Sequence, residues 1–334
     1  MKALIPVAGA GTQLRPLTYT QPKPLIPIAG KPIISHIIDK LIDHGITEYV
    51  FVVGYMGDKI RVYLDDKYPD IKKSYAVQHE RLGLGHAVWT AREYLDDSPI
   101  IIVLGDTIVD LDLKKFLASD HSMLGVQKVN DPRQFGVVEL SEDKCITKLI
   151  EKPEIPKSNL AIAGIYKIDE THMLMQALGA NIEKESRTHG EFQLTDGLEV
   201  LLKKDVKMCT MKVDSWYDCG RKEILLETNA RKLAHVEQRF SDLYPESIII
   251  PPVSIGDGCA IRHSIVGPNV SIARNTTVLN SLLRDSIVGE YCLLDGVSLN
   301  RSIIGNDVSM KGMDQSLNIG DNTEIDFSGG AGTS

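Results

Sequence analysis

An α/β domain with a largely parallel sheet, followed by a parallel β-helix, is the fold this sequence predicts. Three observations carry that expectation. First, short β-branched apolar runs alternate with segments of helical period, as in residues 33–42 followed by 49–53. Strand–helix alternation of this kind argues for a doubly wound, parallel sheet. Second, the apolar run over residues 3–7 stops abruptly at Ala8-Gly9-Ala10-Gly11-Thr12. A buried strand that ends in glycines leaves backbone N–H groups free at the sheet's carboxyl edge, where open α/β folds bind ligands. Third, past Tyr244 the apolar beats fall six residues apart: Ile255 and Ile261; Val266, Ile272 and Val278; Val288 and Leu294; Ile304 and Met310. Ile272, Val288 and Ile304 also recur every sixteen residues. Hexapeptide beats mark a solenoid whose coils bury side chains only against neighbouring coils.

The elements follow in order. Ile34, Ile37, Ile38, Leu41 and Ile42 keep the 3.6-residue period, and Gly45 is a natural stop. After the strand at 49–53 the pattern predicts a helix over 58–67, a strand over 74–78 and a helix over 84–95. A buried strand over 100–104 then ends at Gly105-Asp106. Strands dominate next, at 124–129, 135–140, 146–150 and 160–168. Helices return at 170–178 and 192–203, a strand spans 206–213, and a helix over 222–236 closes the domain. The expected organisation is a first domain at 1–236, a linker at 237–248, the solenoid at 249–326 and a disordered, glycine-rich tail at 327–334.

Composition narrows the class. A chain of 334 residues with 43% hydrophobic and 25% charged residues is that of a two-domain globular protein. A net charge of −8 with no basic block argues against nucleic acid or an anionic membrane surface as partner. No apolar run approaches the ~20 residues needed to cross a bilayer. The N-terminus runs straight into a core strand without a signal-peptide layout, so a cytoplasmic protein is expected. Cys145, Cys209, Cys219, Cys259 and Cys292 are widely spaced with no Cys-x-x-Cys, which favours reduced thiols over disulfides or a zinc site. His36 and His44 fall near the polar side of their helix and are expected to be solvated.

The glycine turn is joined to Leu14-Arg15-Pro16-Leu17-Thr18 and then to Pro22-Lys23-Pro24-Leu25-Ile26-Pro27. That compound string resembles the signature of the sugar-1-phosphate nucleotidylyltransferases, Gly-x-Gly-Thr-Arg-Leu-x-Pro-x-Thr followed by Pro-Lys-Pro. The resemblance covers nearly the whole chain and is nearest the long-form glucose-1-phosphate thymidylyltransferases. It implies a Rossmann-like nucleotidyltransferase domain with a mixed, mostly parallel sheet, followed by a left-handed parallel β-helix. The handedness rests on the resemblance alone, since it breaks the usual right-handed crossover preference. The implied activity is Mg²⁺-dependent transfer of a nucleotidyl group from a nucleoside triphosphate to a sugar 1-phosphate, glucose 1-phosphate being favoured. Such chemistry needs a metal, carboxylates to hold it, cations on the phosphates and backbone donors at the turn.

By the same resemblance Asp106 and Asp218 would share the metal, Asp218 standing in Trp216-Tyr217-Asp218-Cys219-Gly220, which is similar to the family's Trp-x-Asp-x-Gly. Lys23 would contact the triphosphate, with Ala8, Gly9, Ala10, Gly11 and Thr12 wrapped around it. Gln78 and Gly83 would read the base, a side-chain amide being able both to donate and to accept. Gly83-Leu84-Gly85-His86-Ala87 has the uridylyl-type form whereas the whole layout is nearer the thymidylyl type, so dTTP and UTP both stay open. His86 is expected to serve packing or backbone bonding. Gly136, Glu151, Lys152 and Gly164 would hold the sugar phosphate, and the segment 189–196 would line its pocket. Gln13 departs from the family, which carries arginine there; glutamine keeps a donor but loses the charge and the planar fork. A slowed enzyme, a non-catalytic nucleotide-sugar-binding regulatory subunit and an engineered inactive variant all stay open. The lightly charged solenoid is expected to assemble a homo-oligomer. Acyl transfer by the solenoid is disfavoured, since His263 is its only histidine.

Overall fold

The computed structural model describes residues 1–235 and 243–312. At its centre Lys2–Val7 runs parallel to Glu48–Val53 on one side and to Ile100–Val103 on the other, and Lys72–Val77 extends the parallel half. Beyond Ile100–Val103 the sheet turns antiparallel. Leu160–Ile168 pairs with Ile100–Val103, with Ser122–Lys128 and, at Ala161, with Gly136–Leu140, which forms a hairpin with Ile146–Glu151. Met208–Lys212 closes that side parallel to Ser122–Lys128.

The alternation of side chains sorts the central strands between two cores. Ala3, Ile5, Val7, Tyr49, Phe51 and Val53 join the core covered by the helices Ile33–Ile42 and Gly57–Lys67. Leu4, Val50 and Val52 join the opposite core, under Leu84–Thr90, Thr171–Glu183 and Leu194–Leu202. A strand buried on both faces must be apolar at every position, which is why these segments look like continuous hydrophobic runs. Two short strands escape that rule: Thr107–Asp110 and Ser215–Asp218 form an antiparallel ribbon with Asp218 opposite Thr107.

The C-terminal strands, from Ile248 onward, form three ladders of short parallel strands, the arrangement of a left-handed β-helix. The beats stack as anticipated: Ile255 on Ile272, Val288 and Ile304; Ile261 on Val278, Leu294 and Met310. Asn269, Asn275, Asn280 and Asp285 turn corners at positive φ, which their short polar side chains tolerate. The solenoid is anchored through Asn229, fully buried on the helix Lys222–Leu233. Its Oδ1 accepts from the Ala29 amide (2.9 Å) and the Ser271 hydroxyl (2.6 Å), while Nδ2 donates to the Asn269 carbonyl (3.1 Å). Val236, much of the expected linker, the solenoid beyond residue 312 and the tail at 327–334 lie outside the described residues.

Two expectations are corrected. Cys145 and Cys209 are paired as a disulfide, brought together by a β-bridge between segments 64 residues apart; Cys219, Cys259 and Cys292 are free. Spacing along the chain cannot reveal a juxtaposition that sheet pairing creates. His36 is not solvated: its Nε2 bonds the Ile28 carbonyl at 2.8 Å. Burial, then the nearby Lys31 and Lys232 charges, against the pull of that bond, lowers its pKa to about 4. Among the described residues no helix is long and apolar enough to cross a membrane.

Candidate functional site

The carboxyl ends of Lys2–Val7 and Ile100–Val103 open into a cleft of about 400 Å³, walled by Ala8, Gly9, Gly11, Lys23, Gln78, Gly83 and Asp106. A second cleft of about 180 Å³ is walled by Gly136, Glu151, Gly164, Thr195, Trp216 and Asp218. The two share Leu84, Leu104 and Asp106. Asp106 therefore stands where they meet.

The turn after the first strand is shaped by Gly11, at φ 60°, where an added Cβ would lie 3.0 Å from both Lys23 Cβ and Thr18 Cγ2. Only glycine accepts both that backbone and that approach. The Thr18 hydroxyl donates to the Gly11 carbonyl at 2.8 Å and fastens the turn. The N–H groups of Gly9, Ala10 and Gly11 find no acceptor among the described residues. Adjacent free donors of this kind form an anion-binding concavity.

Pro22 sets the turn that presents Lys23. Its Nζ lies 2.5 Å from Asp106 Oδ2 and 3.7 Å from Asp218 Oδ1. The short ribbon brings these distant carboxylates together, and the Cys219 amide adds a bond to the Asp106 carbonyl at 3.0 Å. Burial alone would lower the Lys23 ammonium, but Asp106 and then Asp218 hold it above the ordinary lysine value. The Asp218 carboxyl is pushed up, first by burial and then by the charge of Asp106, beyond what Lys23 takes back. Two carboxylates crowded on one ammonium favour a further cation.

Gln13 is exposed and outside the cleft walls, yet it reaches this group. A Cβ added at Gly220 would fall 3.2 Å from Asp218 Oδ1 and 3.4 Å from both Gln13 Oε1 and Lys23 Nζ. Arg15 does not stand in for the missing charge; it stacks on Tyr19 at 5.0 Å. Of the other residues singled out in the sequence, Ala10 is buried and Thr12 exposed at the turn, while Lys152 is half-buried next to Glu151 and walls neither cleft. Gly83 adopts φ 108°, and a Cβ there would sit 2.6 Å from the Phe192 carbonyl. Glu151 Oε2 accepts from the Thr195 hydroxyl at 2.8 Å, and Lys152 Nζ is 3.9 Å from its other oxygen. Burial raises the Glu151 carboxyl.

Sequence reasoning missed Arg81, which lines the first cleft inside the very loop that Gln78 and Gly83 bracket. It also missed the edge-to-face pairing of Phe135 with Trp216 (4.8 Å) on the second cleft's wall. The Trp216 indole N–H there is buried without a partner among the described residues. Trp216 stands in a quoted motif and Phe135 opens the strand expected at 135–140, but nothing local joins them.

Comparison with known proteins places the chain in a family. The profile of the family described as nucleotidyl transferase matches residues 2–235. The bifunctional protein GlmU of Methanocaldococcus jannaschii is 40% identical over 252 residues, covering 75% of this chain. The chain spans 59% of that relative's length. The glucose-1-phosphate thymidylyltransferase of Streptomyces griseus is 32% identical over 338 residues, 93% of each chain. Among solved structures, a UDP-glucose pyrophosphorylase complexed with UDP-glucose superposes with a TM-score of 0.62 at 25% identity, over 70% of this chain and 99% of that one. With the profile spanning the first domain and relatives alike over most of the chain, the resemblance first carried by the glycine turn becomes a conclusion: the chain belongs to the nucleotidyl transferase family.

Proposed function

We propose that this protein transfers the nucleotidyl group of dTTP or UTP to a sugar 1-phosphate, glucose 1-phosphate being favoured, and releases pyrophosphate. The observation that carries this reading is the meeting of two clefts at Asp106, with Lys23 and Asp218 at the same point. The names of the Streptomyces griseus relative and of the pyrophosphorylase support the choice of base and sugar.

In this reading the first cleft takes the triphosphate, laid along the free N–H groups of Gly9 to Gly11 with Lys23 against its charge. The second takes the sugar, Glu151 accepting from its hydroxyls and the adjacent Lys152 meeting its phosphate. Asp106 and Asp218 fit a hard divalent cation: they offer carboxylate oxygens converging on one ammonium. Among the described residues no cluster of three or more ligating side chains is gathered, and Mg²⁺ needs only one or two carboxylates beside water and phosphate oxygens. When bound it neutralises phosphate charge and orients the reacting groups. A sugar-phosphate oxygen then attacks the α-phosphorus, the bond to the β-phosphate breaks, and its electron pair leaves on pyrophosphate. The attacking oxygen is already anionic, so no general base is needed.

Residues 1–236 would form the catalytic unit and the solenoid at 249–326 would assemble copies of the chain in the cytoplasm. The exposed row Ile248, Ile265 and Leu282 on one solenoid face supports such contacts. Gln13 favours a second reading, nucleotide-sugar binding without turnover. Pyrophosphate release measured with glucose 1-phosphate, Mg²⁺ and each of dTTP, UTP, ATP, GTP and CTP separates the two. Release strongest with dTTP or UTP is expected. Calorimetric binding without release points to a regulatory subunit, and neither binding nor release overturns both readings.

A further inference from the structure

Gln78 is 5% exposed, at the end of Lys72–Val77. Its Nε2 lies 3.2 Å from the Gly83 carbonyl oxygen and 3.0 Å from His86 Nδ1. A carbonyl can only accept, so the contact with Gly83 fixes which end of the amide is nitrogen. The second amide hydrogen then points at His86 Nδ1, which must accept it. The imidazole is therefore neutral, with its proton on Nε2. Both Gln78 hydrogens are committed, and its Oε1 has no partner among the described residues without being sealed away. Gln78 walls the first cleft and also a neighbouring hollow beside Gly54, Tyr55 and Arg81; with both amide hydrogens committed, the group it has left to offer is an acceptor.

The His86 ring is held between Phe192 (6.4 Å) and Trp89 (6.3 Å). Arg187 lies over Phe192 at 4.6 Å and Arg92 over Trp89 at 3.7 Å. Three charged groups face the imidazole: Glu80 from the preceding loop, Arg187 from the segment before Phe192, and Arg92 from the turn after its own helix. Burial first, then the two guanidiniums against Glu80, lowers the imidazole's pKa and keeps it neutral.

We infer that His86 is a positioning residue that locks the Gln78 carboxamide with its oxygen toward the cleft, so that the site selects a base with a ring N–H on its Watson–Crick edge, uracil or thymine, over one with a bare ring nitrogen, cytosine. This rests on the proposed binding of a nucleoside triphosphate in the first cleft. His86 does not wall the cleft itself and acts through Gln78. An acceptor facing an acceptor leaves a desolvated group unpaired, which is worth roughly 10–100-fold in affinity. Protonating His86 puts a hydrogen on Nδ1, where the Gln78 oxygen is then the better partner, and the amide turns its N–H groups toward the base.

The test is the ratio of UTP to CTP affinity, measured by calorimetry on the full chain, for the parent, His86→Leu and His86→Asn. Leucine removes the acceptor, whereas asparagine places an oxygen near the Nδ1 position and does not titrate. The parent should prefer UTP at neutral pH and lose preference as the pH falls through the lowered imidazole value. His86→Leu should lose roughly 10–100-fold in the ratio. His86→Asn should recover most of it, with no pH dependence. If His86→Leu weakens both nucleotides equally, the inference fails while the nucleotide cleft stands. If the parent binds neither, both fail.

Discussion

Placing arginine at position 13 probes a point where the sequence departs from the signature it resembles. Gln13 Oε1 lies in the same small space as Lys23 Nζ and Asp218 Oδ1, around Gly220. A guanidinium there would add a positive charge beside the departing pyrophosphate. Two unit charges about 4 Å apart interact by roughly 4 kcal/mol at an effective dielectric near 20. Gln13 is exposed and Lys23 is close by, so solvent screening and cation repulsion reduce that to about 1.4–2.8 kcal/mol. Gln13→Arg should then raise kcat about 10–100-fold, below the ~10²–10³ range seen for a fully shielded electrostatic stabiliser. In the proposed reading Lys23 and the turn already meet the substrate phosphates, so KM for the sugar phosphate should change little. Gln13→Lys, a charge without the fork, should recover only part of the gain. Steady-state pyrophosphate release on the three proteins checks this. A flat kcat in Gln13→Arg, with a parent that turns over briskly, would refute the reasoning.

Other perturbations reach the scaffold. Asn229→Ala removes an amide that serves two donors and one acceptor across the domain junction; it should cost ~2–4 kcal/mol in urea unfolding, and a loss under 1 kcal/mol would show that the junction tolerates the gap. His36 has a folded pKa below the ordinary histidine value, so between about pH 6.5 and pH 4 the unfolded chain binds more protons and stability falls as pH falls. The loss should reach roughly 3 kcal/mol by pH 4, and His36→Gln should flatten that part of the profile; identical slopes in both proteins would contradict it. Ile265→Asp places a charge in the exposed row of the solenoid. It should lower the mass seen by light scattering, and an unchanged mass would move the assembly contact elsewhere.

Much of the scaffold was legible because its signal is local. Ile33–Ile42 announces its buried stripe by spacing alone, and the column Ile272, Val288 and Ile304 is visible as a sixteen-residue recurrence. The Gly9–Gly11 turn, Lys23 and Asp106 carry their chemistry next to strong element boundaries. What stayed hidden depends on pairing between distant segments. The ribbon of Thr107–Asp110 with Ser215–Asp218 is too short and too polar to show a period, yet it brings Asp218 to Lys23. The Cys145–Cys209 bond and the Phe135–Trp216 contact have the same origin. Arg15, a cation in the right stretch of sequence, proves to be spent on Tyr19. His86 looked like packing because its partner is one amide hydrogen, which no composition rule exposes.

That Asp106 sits where two substrates are joined is tested most directly by the identity of the product. Phosphorus NMR of the reaction of dTTP or UTP with glucose 1-phosphate should show the coupled signals of a nucleotide-sugar diphosphate appearing together with pyrophosphate. Both should depend on Mg²⁺, and both should slow at least ~100-fold in Asp106→Asn with its circular dichroism unchanged. Pyrophosphate accompanied by nucleoside monophosphate instead, or an Asp106→Asn protein as fast as the parent, would contradict it.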